Sequence, residues 1–576
     1  MSLASPDNSP RLADKIARIV SAMPPKRKII FAFCLVVFVG SIMTLLWLVN
    51  QSRLVSVPVA GGQLTEGLLN TPAFINPLLS SSPTERDLTA LIYSGLLRSD
   101  GTGDFLPDLA ESYSVSPDGL IYTFALKPNL VWHDGEPVTA DDVIFTIAKA
   151  KDPTLRSPRR AGWEGVEAQK IDKWHIAFKL KQPYSLFLEN LTLGILPAHR
   201  WQRIATESFS SSNLNLEPIG TGPYQISTLK RDKDNLLLSY TLTPFRRFAL
   251  GEPKIAKIII RFYPNEDELL SAYRRKEITA ISAIDPDTAR VFEGTGARVL
   301  ITTLPRVFGV FFNQNRAKLF ARPEVRAALD ASVNRPKIIS EVFRGYGEPI
   351  TGPLPFSSSI PITANSATTS PADILKRAGW RKNATSSLWE LPSKKKNEMP
   401  LVLQFTLTTS DAPELKRVAA LVKRDWEAIG ANVDLKVFEW GALDQTVIRP
   451  RDYEALLFGE IVGRNPDLYS FWHSTQRLDP GLNIALYTNV TIDKILDEIK
   501  VASTTDRRTA DYLAFDTEIR KDQPAVFLYA PNFLYLVPPD VQAINLGIIN
   551  TPAERFLGIY KWYIKTDRVW PAFVNR

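Results

Sequence analysis

Residues 110–127 read Ala-Glu-Ser-Tyr-Ser-Val-Ser-Pro-Asp-Gly-Leu-Ile-Tyr-Thr-Phe-Ala-Leu-Lys, and residues 132–143 read Trp-His-Asp-Gly-Glu-Pro-Val-Thr-Ala-Asp-Asp-Val. Pro117-Asp118-Gly119 is turn chemistry, because proline presets φ and glycine accepts φ > 0. Beyond it Tyr122, Phe124 and Leu126 alternate with Thr123, Ala125 and Lys127, the period of a half-buried strand. Asp134-Gly135 makes a second turn. Thr139, with Asp142 three residues later, places a hydroxyl and a carboxylate where a helix start has free backbone N–H groups. Val143, Ile144 and Ile147 give that helix a buried face. The stretch therefore predicts a hairpin, a turn and a capped helix in close succession.

Upstream, residues 29–49 form a run of 21 without a charge, enough at about 1.5 Å per residue to cross a hydrocarbon core of roughly 30 Å. Lys26-Arg27-Lys28 stands just before it, so this end is expected in the cytoplasm and everything after Gln51 outside. The run is longer than a signal-peptide core, which favours an uncleaved anchor. The other reading is a signal peptide cleaved at Pro58-Val59-Ala60-Gly61. Cys34 follows Phe31-Ala32-Phe33, which is not a lipobox, and reads as a small apolar residue of the membrane segment. Leu12, Ile16, Ile19, Val20 and Met23 have roughly helical spacing and suit either a short amphipathic helix or a solvated tail.

With 576 residues the chain has room for two or three domains, and its single cysteine excludes an internal disulfide framework. Half of the formal charge of +8 lies in residues 1–28. The remainder is near neutral for its size and makes no case for nucleic acid. His133, His175, His199 and His473 are scattered, with no His-Glu-x-x-His, and Gly-x-Ser-x-Gly is absent. No enzyme activity, metal or cofactor is expected, although 61 acidic residues leave a carboxylate pair open.

Downstream, Trp174, Ile176, Phe178 and Leu180 form another alternating strand, with His175 on its opposite face. Gly220-Thr221-Gly222-Pro223-Tyr224 lacks the spacing and the Lys-Ser/Thr of a phosphate-binding loop. Tyr273 to Ile278 closes a charged helix. Helical spacing runs from Arg322-Pro323-Glu324 through Ile338, Ile339 and Val342. Residues 357–370 read as a surface loop and Lys394-Lys395-Lys396 as a solvated tip. Leu401 to Leu407 reads as a strand, Pro413 to Gly430 as a helix stopped by its glycine, and Val433, Leu435 and Val437 as the next strand. Strand, helix, strand of this length implies a parallel pair with a right-handed crossover, hence an α/β lobe. Helices are expected around Ile495 and around Phe515, and a buried strand over Ala525 to Tyr529.

The hairpin-to-helix stretch resembles the signature of the family 5 extracellular solute-binding proteins, the oligopeptide, dipeptide and nickel receptors of ATP-binding-cassette importers. Asn76-Pro77, Arg86-Asp87-Leu88 with Tyr93-Ser94-Gly95, the Gly220–Tyr224 turn, Tyr273–Ile278 (with Lys276 where the family has glycine), Phe311-Phe312-Asn313 and Gly345–Pro355 extend the resemblance to the C-terminus. It implies a two-lobed α/β fold of the periplasmic-binding-protein type II class, in the large subclass with an extra subdomain, preceded here by one transmembrane helix. The implied boundaries are 56–86, 197–304 and 532–576 for lobe I, 87–196 for its subdomain and 305–531 for lobe II, after a cytoplasmic tail 1–28 and an anchor 29–49. The implied function is capture of a peptide-like or other small solute by a monomer that delivers it to permease and ATPase subunits. A membrane-tethered sensor, or an extracellular chaperone or hydrolase, remains as an alternative.

The resemblance also implies ligand contacts at Ser81, Phe308, Trp440, Gly463, Arg464, Asn465, Asp467 and Tyr529. Ser80-Ser81-Ser82 reads equally as a plain Ser-rich loop. In the family's peptide receptors a cleft aspartate pairs with the ligand's free α-amino group. In the matching stretch, Gly459 to Asp467, Arg464 stands in its place on one register and Gly463 on the other. Neither accepts from an ammonium, and a guanidinium suits a carboxylate or phosphate. The expectation is a receptor that does not hold peptides by a free N-terminus and prefers an anionic or blocked ligand. Two other readings stand beside it: Arg464 pairs with Glu460 or Asp467, or Asp467 takes over the amino-group role.

Overall fold

The structure, a computed structural model, describes residues 19, 21–184, 186–355, 370–393, 395, 399–501 and 505–571. Leu12, Ile16 and Val20 of the expected tail helix, the connector 357–369, Lys394 and Lys396 lie outside the described residues.

Two compact units form: residues 1–59 with 565–576, and residues 60–564. In the first, a helix spans Pro25–Arg53 with no buried residue. The Ser41 and Thr44 hydroxyls donate to the Val37 and Gly40 carbonyls at 2.8 Å, four residues back, so both are satisfied inside the helix. The strand Val55–Val59 then pairs antiparallel with Lys565–Val569.

In the second unit the signature stretch forms the hairpin Ala110–Val115 with Ile121–Leu126. Val166–Lys170 and His175–Leu180 widen it to a four-stranded sheet. Tyr122, Phe124 and Leu126 point inward with Ile176, Phe178 and Leu180, and Phe124 meets Phe178 edge-on at 5.8 Å. His175 is exposed on the other face, with Nδ1 2.8 Å from Asp172 Oδ2. The helix after the hairpin spans Ala140–Lys151. Thr139 N donates to Asp142 Oδ2 and Ala198 N to Oδ1, both at 2.8 Å, so one carboxylate starts this helix and anchors the next segment.

Two landmarks of the sequence meet here. His133 Nε2 lies 3.1 Å from the Gly222 carbonyl, and Gly220 N donates to His133 Nδ1 at 3.3 Å. A carbonyl only accepts and an N–H only donates, so the ring is the neutral Nε2–H tautomer. Burial pushes its pKa down to about 4.

A mixed sheet runs in the order Asn432–Phe438, Gln404–Ser410, Ala455–Ile461, Arg306–Phe312, Ala525–Val537, Ala280–Ser282, Gln63–Leu69, Lys257–Tyr263, Leu237–Pro244, Tyr224–Arg231. Gln404–Ser410 and Asn432–Phe438 are parallel, joined by the helix Pro413–Ile429. That helix buries Leu415, Val418, Ala419, Val422 and Trp426 and stops at Gly430, whose φ of 102° a residue with Cβ resists. Burial of each large apolar side chain stabilises the lobe by about 1.5–3 kcal/mol.

Three expectations need correction. Residues 401–407 are not one strand: Leu401–Val402 pairs with Trp389–Leu391 in a small sheet, and Gln404–Ser410 joins the large one. The break is Leu403, whose N–H is taken by the Trp389 carbonyl at 2.8 Å. The helical run after Arg322 is two helices, Pro323–Ser332 and Arg335–Val342, because Asn334 caps a new start ahead of Pro336. The strand expected over 525–529 continues to Val537. Pro531 does not end it, because its carbonyl accepts from Leu304 N at 2.9 Å and no ladder N–H is required of it.

That long strand belongs to both halves of the unit. Arg306–Phe312 pairs with its first part and Arg298–Thr303 with its second, both antiparallel. The apolar core changes at the same two places. Leu304, Phe533 and Tyr535 pack in one core, and Val307, Val310, Leu528 and Ala530 pack in others. The halves are thus joined by two adjacent strands crossing between 304 and 306 and between 530 and 532.

Candidate functional site

The helix Pro83–Ile92 builds one wall of the site. Its start is held by Glu85, whose carboxylate accepts from the backbone N–H groups of Ala73, Phe74, Ser81 and Ser82 at 2.8–3.1 Å. Burial raises this carboxyl, and the four donors outweigh burial and hold it below the ordinary range. Leu88, Leu91 and Ile92 face the core. Arg86, Thr89 and Tyr93, three and seven residues on from the first, share the other face and line a cavity of about 420 Å³. Arg86 Nε, Thr89 Oγ1 and Tyr93 OH are buried there with no hydrogen-bond partner.

Arg98, Asp108, Arg159, Glu189, Arg464 and Glu554 complete the charged lining. Burial pushes the Asp108 carboxyl up to about 6, against the pull of Arg98 and Lys127. The Arg464 side chain is 2% exposed, and Nη1 lies 2.8 Å from Glu554 Oε2 while Nη2 lies 3.8 Å from Glu189 Oε1. Nη1 also donates to the Ile548 carbonyl at 3.0 Å, and the Arg464 backbone N–H donates to Asn550 Oδ1 at 2.6 Å. Asn550 Nδ2 returns to Glu189 at 2.5 Å. Arg464 follows the strand Ala455–Ile461, and its partners follow the crossing strand or belong to the segment before it. The ion pair therefore bridges the two halves. Its loop is also tied to the crossing, where the Pro305 carbonyl accepts from Val462 N and Gly463 N at 3.0 and 3.3 Å.

Of the eight residues expected at the ligand, Arg464 alone lines this cavity. It pairs with neither Glu460 nor Asp467. Glu460 is buried in the strand before it, both oxygens without a partner, and burial holds its carboxyl well above the usual range. Asp467 caps the helix Leu468–Trp472 through Ser470 and lines a second cavity of about 200 Å³ with Tyr184, Lys500 and Tyr512. Ser81 belongs to the Glu85 cap, and its neighbour Ser80 lines the main cavity instead. Phe308 and Tyr529 stack on each other at 4.8 Å between ring centroids. The half-exposed Trp440 stacks on Phe458 at 5.5 Å. Gly463 supplies a φ of 78° to the loop, and Asn465 Nδ2 donates to the Gly103 carbonyl at 3.1 Å.

The residues that do line the cavity were missed, apart from Arg464. One signal pointed to some of them: polar Arg86, Thr89 and Tyr93 share a helical face in a segment whose other face is apolar. Nothing local marks Arg98, Asp108, Arg159, Glu189 or Glu554.

The family model of the bacterial extracellular solute-binding proteins, family 5 Middle, matches residues 104–479. The oligopeptide-binding protein AppA of Bacillus subtilis is 26% identical over 522 residues, covering 88% of this chain and 92% of that protein. Its solved structure in complex with a nonapeptide superposes with a TM-score of 0.63 at 25% identity, over 88% of this chain and all of that one. HbpA2 of Haemophilus parasuis shares the fold at 18% identity, with a TM-score of 0.74 over 88% of this chain and 100% of that one.

Proposed function

The chain belongs to the bacterial extracellular solute-binding proteins of family 5, and from that premise we propose that it is the extracytoplasmic receptor of an ATP-binding-cassette importer. It closes its lobes on a small solute and delivers the solute to a permease. The observation that carries this reading is the Arg464–Glu554 ion pair, which spans the halves beside the cavity of about 420 Å³. A cavity of this size suits a small solute or short peptide, and the oligopeptide-binding relative makes a peptide-like solute the first class to test. Arg464 acts in this reading as a latch of the closed form, its charge met by Glu554 and Glu189, and not as the ligand's direct partner.

In the same reading lobe I comprises 56–86, 197–304 and 532–576, its subdomain 87–196 and lobe II 305–531. The change of core at 304–307 and 530–533 supports these limits. The protein binds without turnover and works as a monomer with separate permease and ATPase chains. Residues 29–49 anchor it uncleaved, with the N-terminus cytoplasmic and the globular part outside. The 29-residue helix Pro25–Arg53, with Lys26-Arg27-Lys28 in its first turn ahead of the uncharged run 29–49, supports that orientation. Native mass spectrometry of the full-length protein in detergent tests the receptor reading. One small solute per chain, released chemically unchanged after prolonged incubation, is expected; conversion of that solute into a product contradicts it.

A further inference from the structure

The cavity carries more positive charge than its own acids can meet. Arg464 is matched by Glu189 and Glu554, and Arg98 faces Asp108. Arg86 and Arg159 have no carboxylate within 4 Å among the described residues. Arg86 Nε is buried and unpaired, and Tyr93 OH, on a residue 5% exposed, points into the same space without a partner. Arg306, the first residue of the strand after the crossing, also leaves a buried Nε unpaired. Burial first, and the Arg86 charge second, hold Arg306 below the ordinary arginine range, and the Arg86 charge also bears on the exposed Arg159. Arg86 and Arg159 therefore share the cavity wall, and Arg306, across the crossing, feels the Arg86 charge.

We propose that Arg86 and Arg159, with the Tyr93 hydroxyl, form an oxyanion subsite, and that the solute this protein takes carries a carboxylate or phosphate there. Unpaired buried donors favour an acceptor that uses several of them together, and guanidinium groups bind planar oxyanions bidentately. An anion seated beside Arg86 also offsets the repulsion between Arg86 and Arg306 across the crossing, so occupancy favours closure. Arg159 is exposed, which places it where the cavity opens and an incoming anion meets it first.

This inference rests on the receptor reading above, and the test separates the two. Full-length protein in detergent is titrated calorimetrically with matched probes: succinate and succinamide, glycerol 3-phosphate and glycerol, trialanine and its C-terminal amide. The expected result is that at least one anionic probe binds about tenfold or more tightly than its neutral partner. Arg159→Gln, at an exposed position, and Arg86→Gln are each expected to remove most of that difference while thermal unfolding stays unchanged. Neutral probes binding as tightly as anionic ones, no anionic probe binding below about 1 mM, or variants that keep the preference would overturn the subsite. Small-angle scattering on the same samples reads closure independently. A neutral probe that closes the lobes leaves the receptor reading standing and the subsite refuted. An anion that binds through Arg86 and Arg159 without closure leaves the subsite standing and refutes capture by closure.

Discussion

Arg555 is fully buried between two carboxylates, 2.8 Å from Glu66 and 2.7 Å from Asp87, and Tyr535 donates its hydroxyl to Glu66 at 2.7 Å. Removing the cation leaves two uncompensated acids in the core, so Arg555→Met is expected to cost about 3–5 kcal/mol, read as a lower urea midpoint. Glu460 sets up the opposite test. Burial raises its carboxyl well above the usual value, and no partner offsets that. The folded protein keeps this proton at pH values where the unfolded chain has lost it. Stability from this group is therefore present below about pH 4.5 and is lost as pH rises toward the folded pKa. Glu460→Gln is expected to flatten the fall in stability between pH 5 and 8; an unchanged slope would show that Glu460 is ionised and compensated. None of this was legible in the sequence. Arg555 and its two acids lie 468 and 489 positions apart, and Arg464 finds Glu554 90 positions away. Local spacing carries no information about such pairs, which is why Arg464 pairs with Glu554 and Glu189 and with neither of the nearby acids, Glu460 and Asp467, that its local sequence offers.

At the scale of elements, the sequence announced what local chemistry decides. The hairpin at Pro117-Asp118-Gly119, the Thr139–Asp142 helix start and the Gly430 stop all form where turn and capping residues stand. It failed where long-range pairing decides, at Leu403 and beyond Tyr529. The Gly220-Thr221-Gly222 turn shows why a motif without chemistry is kept in place. A Cβ on Gly220 would stand 1.9 Å from the Ile92 carbonyl oxygen, and His133 clasps the turn from the other side. Gly220→Ala is expected to destabilise by about 3 kcal/mol or more, because backbone meets backbone. Gly441→Ala, with open space around it, serves as the near-neutral control. The clasp also has a pH sign. The folded His133 pKa is lowered to about 4 from 6.5, so its contribution is present above pH 6.5 and is lost as pH falls toward 4. His133→Gln is expected to remove that acid-side loss, measured by thermal unfolding at pH 7 and pH 5.

The whole molecule turns on the paired crossings. They tie the Arg464 loop to Pro305 and bring Arg464 to Glu554; in the proposed reading this makes hinge and latch one device. Cutting the latch while keeping the hinge, as in Arg464→Met, is expected to raise the open population and weaken solute binding about tenfold, read by calorimetry with the co-purified solute. The two-lobed plan was legible from the order of the landmarks, because each is a local turn or cap. The charge pattern of the cavity was not, because its walls come from segments far apart in the chain. Closure itself is tested most directly by pulsed electron spin resonance on full-length protein carrying spin labels at Ile171→Cys and Leu478→Cys, with Cys34→Ser; both labelled sites are exposed, at 58% and 75%. With the co-purified solute bound, a single short distance is expected; after its removal by dialysis the distribution should broaden toward longer distances and return when solute is restored. One distance that stays the same with and without solute would contradict the receptor account.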